Sequence, residues 1–194
     1  MAKTRDIRVI RTQTALLEAL EEILKTKKLS NVTITELCSV ASINRNTFYY
    51  HYNNIIDFLD EHKQIVLNDL DEIPDVSSTH NKDNLTEIIR CISHHPHFIN
   101  IIISPNCDID FSSQIFETAS KKTSVFLTDN GKKQSSRYKM LVSFCNAGSN
   151  AVMIDWVANG MREKPEEIST LIWDAAKLGI FPLMNPNGES TEIF

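Results

Sequence analysis

From Ile7 to Leu24 the chain places apolar side chains at Ile7, Ile10, Leu17, Leu20 and Leu24, with Leu16 and Ile23 widening the stripe. Steps of three and four are the period of an amphipathic helix, not the alternation of a half-buried strand. The same period runs nearly throughout, so the fold class read from it is all-α. Polar breaks fall at 74–84, 104–110, 128–136 and 163–165. Around them lie helical stretches at about 85–103, 111–127, 137–161 and 166–180. Proline is poorly tolerated inside a helix, so Pro96 should interrupt the first of these, for about nine helices in all. Residues 182–194 read as a loose tail.

Several function classes are disfavoured by what is missing. With 194 residues, 42% hydrophobic and 23% charged, the chain can bury a core without disulfides or metals. No apolar run approaches the ~18 residues of a membrane span, and the start, Met1-Ala2-Lys3-Thr4-Arg5-Asp6, leads into no signal region. A cytoplasmic protein with no membrane partner is expected. Cys38, Cys91, Cys107 and Cys145 are scattered and read as reduced, mostly buried thiols. The five glycines form neither a P-loop nor a dinucleotide fingerprint, and no H-E-x-x-H or nucleophile triad is present. No enzyme activity and no cofactor are expected.

Charge is unevenly spread. Residues 1–53 carry eight Lys/Arg against five Asp/Glu and residues 54–194 twelve against twenty, so the net −5 divides into +3 and −8. A basic head on an acidic body points to a polyanionic partner for the head. Within that head, Thr33-Ile34-Thr35-Glu36 has the form of a capping box opening a helix from Ile34 to about Ala41. After Ser42-Ile43, Asn44 is a good N-cap for Arg45-Asn46-Thr47-Phe48-Tyr49-Tyr50-His51-Tyr52. Asn54, with Asp57 three residues on, opens a further helix to about Asp71. Two short helices joined by a three-residue turn, with a longer helix before them, make a helix-turn-helix candidate. In its second helix Phe48 and Tyr52, four apart, would anchor one face. Arg45, Asn46, Thr47, Tyr49, Tyr50 and His51 would point outward, as a major-groove reader requires.

The segment from Thr33 to Leu59, TITELCSVASINRNTFYYHYNNIIDFL, resembles the DNA-binding signature of TetR/AcrR-family transcriptional regulators. Leu37-Cys38 stands at the family's paired position, Ala41-Ser42-Ile43-Asn44 at its turn, and Phe48-Tyr49-Tyr50-His51-Tyr52 at its aromatic signature. The resemblance implies an effector-responsive regulator, most commonly a repressor, that binds a palindromic double-stranded DNA operator as a homodimer. Residues 1–53 would form the DNA-binding domain, and residues 54–194 the effector-binding and dimerisation domain. Carried over by position, Arg45 and Asn46 would contact bases, and Thr35, Thr47, Tyr49, Tyr50 and His51 would contact phosphates. Two positions depart from the pattern. Ser42 replaces the turn glycine, and Ile55 stands where the family usually has a phosphate-binding lysine. Fewer phosphate contacts and a shallower salt dependence follow, unless Lys3, Arg5 or Arg8 compensates. The alternative is an activator or co-regulator that acts through a protein partner with little DNA binding of its own.

The stretch NAGSNAVMIDWVANGMREKPEEIS resembles the C-terminal region of the TetR subgroup related to dihydroxyacetone-kinase operon activators. Small residues let helices approach closely, so Ala147, Gly148 and Ala151, with Trp156 and Trp173, are the expected dimer interface. The alternative for any one of them is an intramolecular core. The effector, a small molecule of unknown identity, has no clear pocket. Phe98, Phe111, Phe116, Phe126 and Phe144 are candidate lining residues, though aromatics at helical spacing are more often core. Cys91, His94, His95 and His97, with His80 and Cys107 near in sequence, are metal-ligand types. Cys91 and His95 would chelate zinc only from one continuous helix, and Pro96 argues against that, so no metal site is assigned.

Overall fold

The structure is a computed structural model and describes residues 7–74, 81–124 and 136–180. Among the described residues there is no strand, and nine α-helices follow one another. They are α1 (Ile7–Leu24), α2 (Ile34–Val40), α3 (Arg45–His51), α4 (Ile55–Glu72), α5 (Asn81–Ser93), α6 (Pro96–Ile103), α7 (Ser112–Ser124), α8 (Ser136–Ala158) and α9 (Pro165–Ala175). A 3₁₀ turn at Leu29–Asn31 ends the first basic run, and α9 continues as a π-helical segment at Ala176–Ile180. Pro96 divides the stretch expected at 85–103, as its missing N–H requires. It sits in the first turn of α6, the one place where that N–H is not needed. Pro165 opens α9 in the same way. The tail at 182–194, with Lys3, Arg5, His80 and Phe126, lies outside the described residues.

Two compact units emerge: residues 1–65 with 95–112, and residues 66–94 with 113–194. They do not follow the functional division expected after residue 53, because the start of α4 and all of α6 pack with the head. The reason is burial. Phe98, Ile99, Ile101 and Ile102 of α6 are all buried, and α6 packs against α1. Polar contacts fix the same pairing. Glu21 receives His97 at 2.7 Å and Asn100 at 2.8 Å. Beyond α6, the Asn106 side chain donates to the Leu24 carbonyl, its carbonyl accepts from the Leu29 amide, and Asp108 accepts from the Ser30 amide. The Ser30 hydrogen bond holds the Asp108 carboxyl below its ordinary range.

In the second unit α5 packs on α9. Ile88, Ile89 and Ile92 of α5 and Ile168 and Ile172 of α9 are buried. One buried polar contact sits among them: the Thr86 hydroxyl donates to Ser169 Oγ at 2.7 Å, and Ser169 donates on to the Glu166 carbonyl. At the rim the Arg90 guanidinium bridges Glu166 and Glu87, which keeps the Glu166 carboxyl low and the Arg90 guanidinium high. Lys122 of α7 donates to the Ile73 carbonyl at 2.7 Å, satisfying a carbonyl just past α4. No described helix is long and apolar enough to cross a membrane.

The hydroxyl pair yields a test of this packing. Thr86→Val removes the donor and leaves a buried oxygen under-satisfied, which should cost about 1–2 kcal/mol in chemical denaturation. Adding Ser169→Ala should recover part of that loss, since a wholly apolar contact of similar shape is nearly neutral.

Candidate nucleic-acid interface

α2 and α3 take their places from local chemistry that the sequence spells out. Thr33 caps α2 by accepting from the Glu36 amide at 3.2 Å, and Asn44 caps α3 by accepting from the Asn46 amide at 2.8 Å. Asn54 accepts from the Asp57 amide at 2.9 Å in front of α4. The reciprocal half of the capping box differs from expectation. The Glu36 carboxylate pairs with Lys27 at 2.6 Å instead, and that hydrogen bond lowers its pKa. A full charge nearby outcompetes a backbone amide for the carboxylate.

The turn closes α2 with two hydrogen bonds: Ile43 N–H to the Cys38 carbonyl at 2.9 Å and Ser42 N–H to the Ser39 carbonyl at 3.2 Å. This is the Schellman arrangement, and it puts Ser42 in the left-handed region at φ 55°. The same arrangement after α8 uses Gly160 at φ 83°, the residue that pays least for the conformation.

α3 presents two unlike faces. Phe48 is fully buried and Tyr52 is 5% exposed. Phe48 meets Tyr52 at 5.5 Å and Phe58 at 6.3 Å between ring centroids, and Tyr52 meets Phe58 at 5.0 Å. The Tyr52 hydroxyl accepts from Gln13 Nε2 at 2.7 Å. Gln13 was not among the residues singled out from sequence, although it lies on the Leu17–Leu20–Leu24 stripe four residues before Leu17. On the other face Arg45, Asn46, Thr47, Tyr49, Tyr50 and His51 are all exposed, Tyr50 to 83%. Thr35 is exposed at the start of α2, and Arg45 Nη1 donates to its hydroxyl at 3.2 Å. These two residues help line a shallow groove of about 560 Å³ with Cys38, Ser39, Ile43, Asn44 and Asn46.

Arg45 is placed electrostatically unfavourably for its own helix. It is the first residue of α3, where the helix dipole disfavours a cation by roughly 0.3–1 kcal/mol. Among the described residues no ion pair includes it, whereas Lys25 and Lys27 are paired with Glu22 and Glu36. A cation so placed does little for the stability of the chain. Ile55 is buried, so its apolar side chain fills the head rather than facing outward.

The other assigned residues divide. Ala147, Gly148 and Ala151 are exposed on one face of α8, and Met140 and Phe144, each 68% exposed, continue that face at steps of three and four. A Cβ at Gly148 would meet nothing within 4 Å, so no packing inside the chain calls for a glycine there. Leu171 and Leu178 are exposed after them. Trp156 corrects the interface assignment: it is buried, with Nε1 donating to the Glu163 carbonyl at 3.0 Å. It lies five residues beyond Ala151, which turns it to the opposite side of α8, into the core with Met153 and Val157. Trp173 is half-buried. Phe98, Phe111 and Phe116 are core, and Phe144 faces outward rather than into a pocket. Cys91 and His95 do not share a helix, since α5 ends at Ser93. Cys91 is buried and its thiol is pushed up to about 12 by that burial, with the Asp69 charge adding to it. Among the described residues no three potential ligands gather around a metal position.

A family model for the C-terminal region of a transcriptional regulator, TetR_C_8, matches residues 79–177. No curated protein matches the chain by sequence. Among solved structures the chain is similar to one named dihydroxyacetone kinase operon activator DhaS, at 16% identity and a TM-score of 0.55, over 88% of this chain and 97% of that one. It is similar also to a tetR-family transcriptional regulator from Streptomyces coelicolor, at 17% identity and a TM-score of 0.52, over 86% and 81%. At these identities the likeness is one of fold.

The turn offers a direct measurement. Ser42→Gly should relieve the left-handed strain of about 1–2 kcal/mol while adding unfolded-state freedom worth about 0.4–1 kcal/mol. A net gain of roughly 0.5–1 kcal/mol is expected in denaturant melts of the purified protein.

Proposed function

The chain belongs to the TetR family of transcriptional regulators, and on that premise we propose that it binds a palindromic duplex operator as a homodimer. The reading makes it an effector-responsive repressor. What supports it is the division of α3, with Phe48 and Tyr52 buried and six hydrogen-bonding side chains exposed. Arg45 and Asn46, at the start of the helix, have the chemistry to pair bidentately with guanine and adenine edges. Thr35, Thr47, Tyr49, Tyr50 and His51 would hold phosphates and fix the register. The residues from 54 onward would bind a small-molecule effector and form the dimer. That contact would run through Ala147, Gly148 and Ala151 with Met140 and Phe144, with Trp173 at its margin. An effector would act by favouring one spacing of two heads over another, and only half-sites about one helical turn apart, ~34 Å, would bind both.

One observation favours a second reading. Ile55 is buried where the family usually has a phosphate-binding lysine, and Lys25 and Lys27 are paired within the chain. An activator or co-regulator working beside a partner protein needs less DNA affinity of its own. DhaS, which the chain resembles in fold, is named an operon activator. A mobility-shift assay with the DNA upstream of the chain's own gene separates the two. A salt-sensitive shift supports direct operator binding, and none supports the partner reading.

Given a bound duplex, Arg45→Ala should weaken binding by about 1–3 kcal/mol and relax specificity at one base position. Tyr49→Phe should weaken all sequences about equally, and a selective loss would contradict its phosphate role. Phe144→Asp, on the exposed face of α8, should yield monomers in sedimentation and abolish the shift without lowering the melting temperature of the monomer fold. A dimer that survives this change would move the interface elsewhere.

A further inference from the structure

Arg45 is the first residue of α3, and side chains on a helix lean toward its N-terminus. Its guanidinium therefore swings past the end of α3 and over the start of α2. There Thr35, the second residue of α2, receives it, with Arg45 Nη1 donating to Thr35 Oγ1 at 3.2 Å. The Arg45 charge also reaches Cys38, one turn further along α2, where it opposes the effect of burial on the thiol. The guanidinium is thus tethered to α2 through Nη1 by a neutral hydroxyl. That leaves the edge formed by Nε and Nη2, a parallel pair of donors of the kind that matches the O6 and N7 atoms of guanine.

An exposed arginine is otherwise a long side chain with many rotamers, and each must be given up before a base is read. One hydrogen bond at the Nη1 corner fixes the plane of the fork without neutralising it, which a carboxylate in the same place would do. Resting on the DNA-binding reading above, we infer that Thr35 is a positioning residue that sets the base specificity of Arg45, beyond any phosphate contact its own hydroxyl hydrogen makes.

The test begins with a library of short duplexes whose central bases are randomised, enriched on the wild-type protein. The enriched duplex and its single-base variants are then titrated with wild type, Thr35→Val, Thr35→Ser, Arg45→Ala and the Thr35→Val/Arg45→Ala double variant. Thr35 is exposed and valine matches its shape, so the fold should survive, and a melting curve checks it. Thr35→Val should cut discrimination by about tenfold at the same base position that Arg45→Ala relaxes, and nowhere else. Thr35→Ser, which keeps the hydroxyl, should retain it. In the Arg45→Ala background Thr35→Val should add no further loss of discrimination. A uniform weakening on every duplex that adds fully to Arg45→Ala would make Thr35 an independent backbone contact and overturn the inference, as would no change at all. If the wild type enriches no duplex, the DNA-binding reading itself fails and this one with it. If enrichment succeeds and Thr35→Val discriminates as wild type does, only the positioning role fails.

Discussion

The aromatic clamp beneath α3 carries the rest of the head. A seven-residue helix is too short to hold together in water by its own hydrogen bonds, so α3 exists because Phe48 and Tyr52 are held from below. Phe48 and Phe58 have no accessible surface, and full burial of such a side chain contributes roughly 1.5–3 kcal/mol. The edge and tilted ring contacts among Phe48, Tyr52 and Phe58 add direction to that burial. Because the clamp uses positions four apart, it also decides which side chains are left outside. The outward set of Arg45, Asn46, Thr47, Tyr49, Tyr50 and His51 is the complement of the inward pair.

Around the clamp, several local choices favour presentation over stability. Ser42 holds a left-handed turn that glycine would hold with less strain, as Gly160 does after α8. Arg45 sits at the wrong end of a helix dipole for a cation, and its described partner is a hydroxyl rather than a carboxylate. Elsewhere in the head Lys25 pairs with Glu22, Lys27 with Glu36 and Lys63 with Asp60. The +3 charge of residues 1–53 counts paired and unpaired cations alike.

In the second unit the informative feature is a helix that is apolar on two sides. α8 buries Met153, Trp156 and Val157 in its own core while Met140, Phe144, Ala147 and Ala151 remain exposed. A helix apolar on more than one face is normally covered on each of them. Gly148 on that exposed face is likewise open, a Cβ there meeting nothing within 4 Å.

The elements themselves were legible in the sequence because they arise from local chemistry. The three-and-four period, Thr33, Asn44 and Asn54 as caps, and Pro96 as an interruption act on residues within a turn of themselves, whereas Pro165, placed by the sequence in a break, proves to open α9. The two faces of α3 were legible for the same reason, being a matter of spacing along one helix. What lies across the fold was not. That α6 packs with the head, that Gln13 meets the Tyr52 hydroxyl, and that Glu36 prefers Lys27 to its own helix end depend on residues brought together across the fold. Trp156 and Phe144 show the limit most plainly. Both are aromatic residues of one helix, and composition treats them alike. Only the direction in which α8 rolls against α9 sends one into the core and leaves the other exposed, because a periodic pattern defines faces but not the neighbour each face will meet.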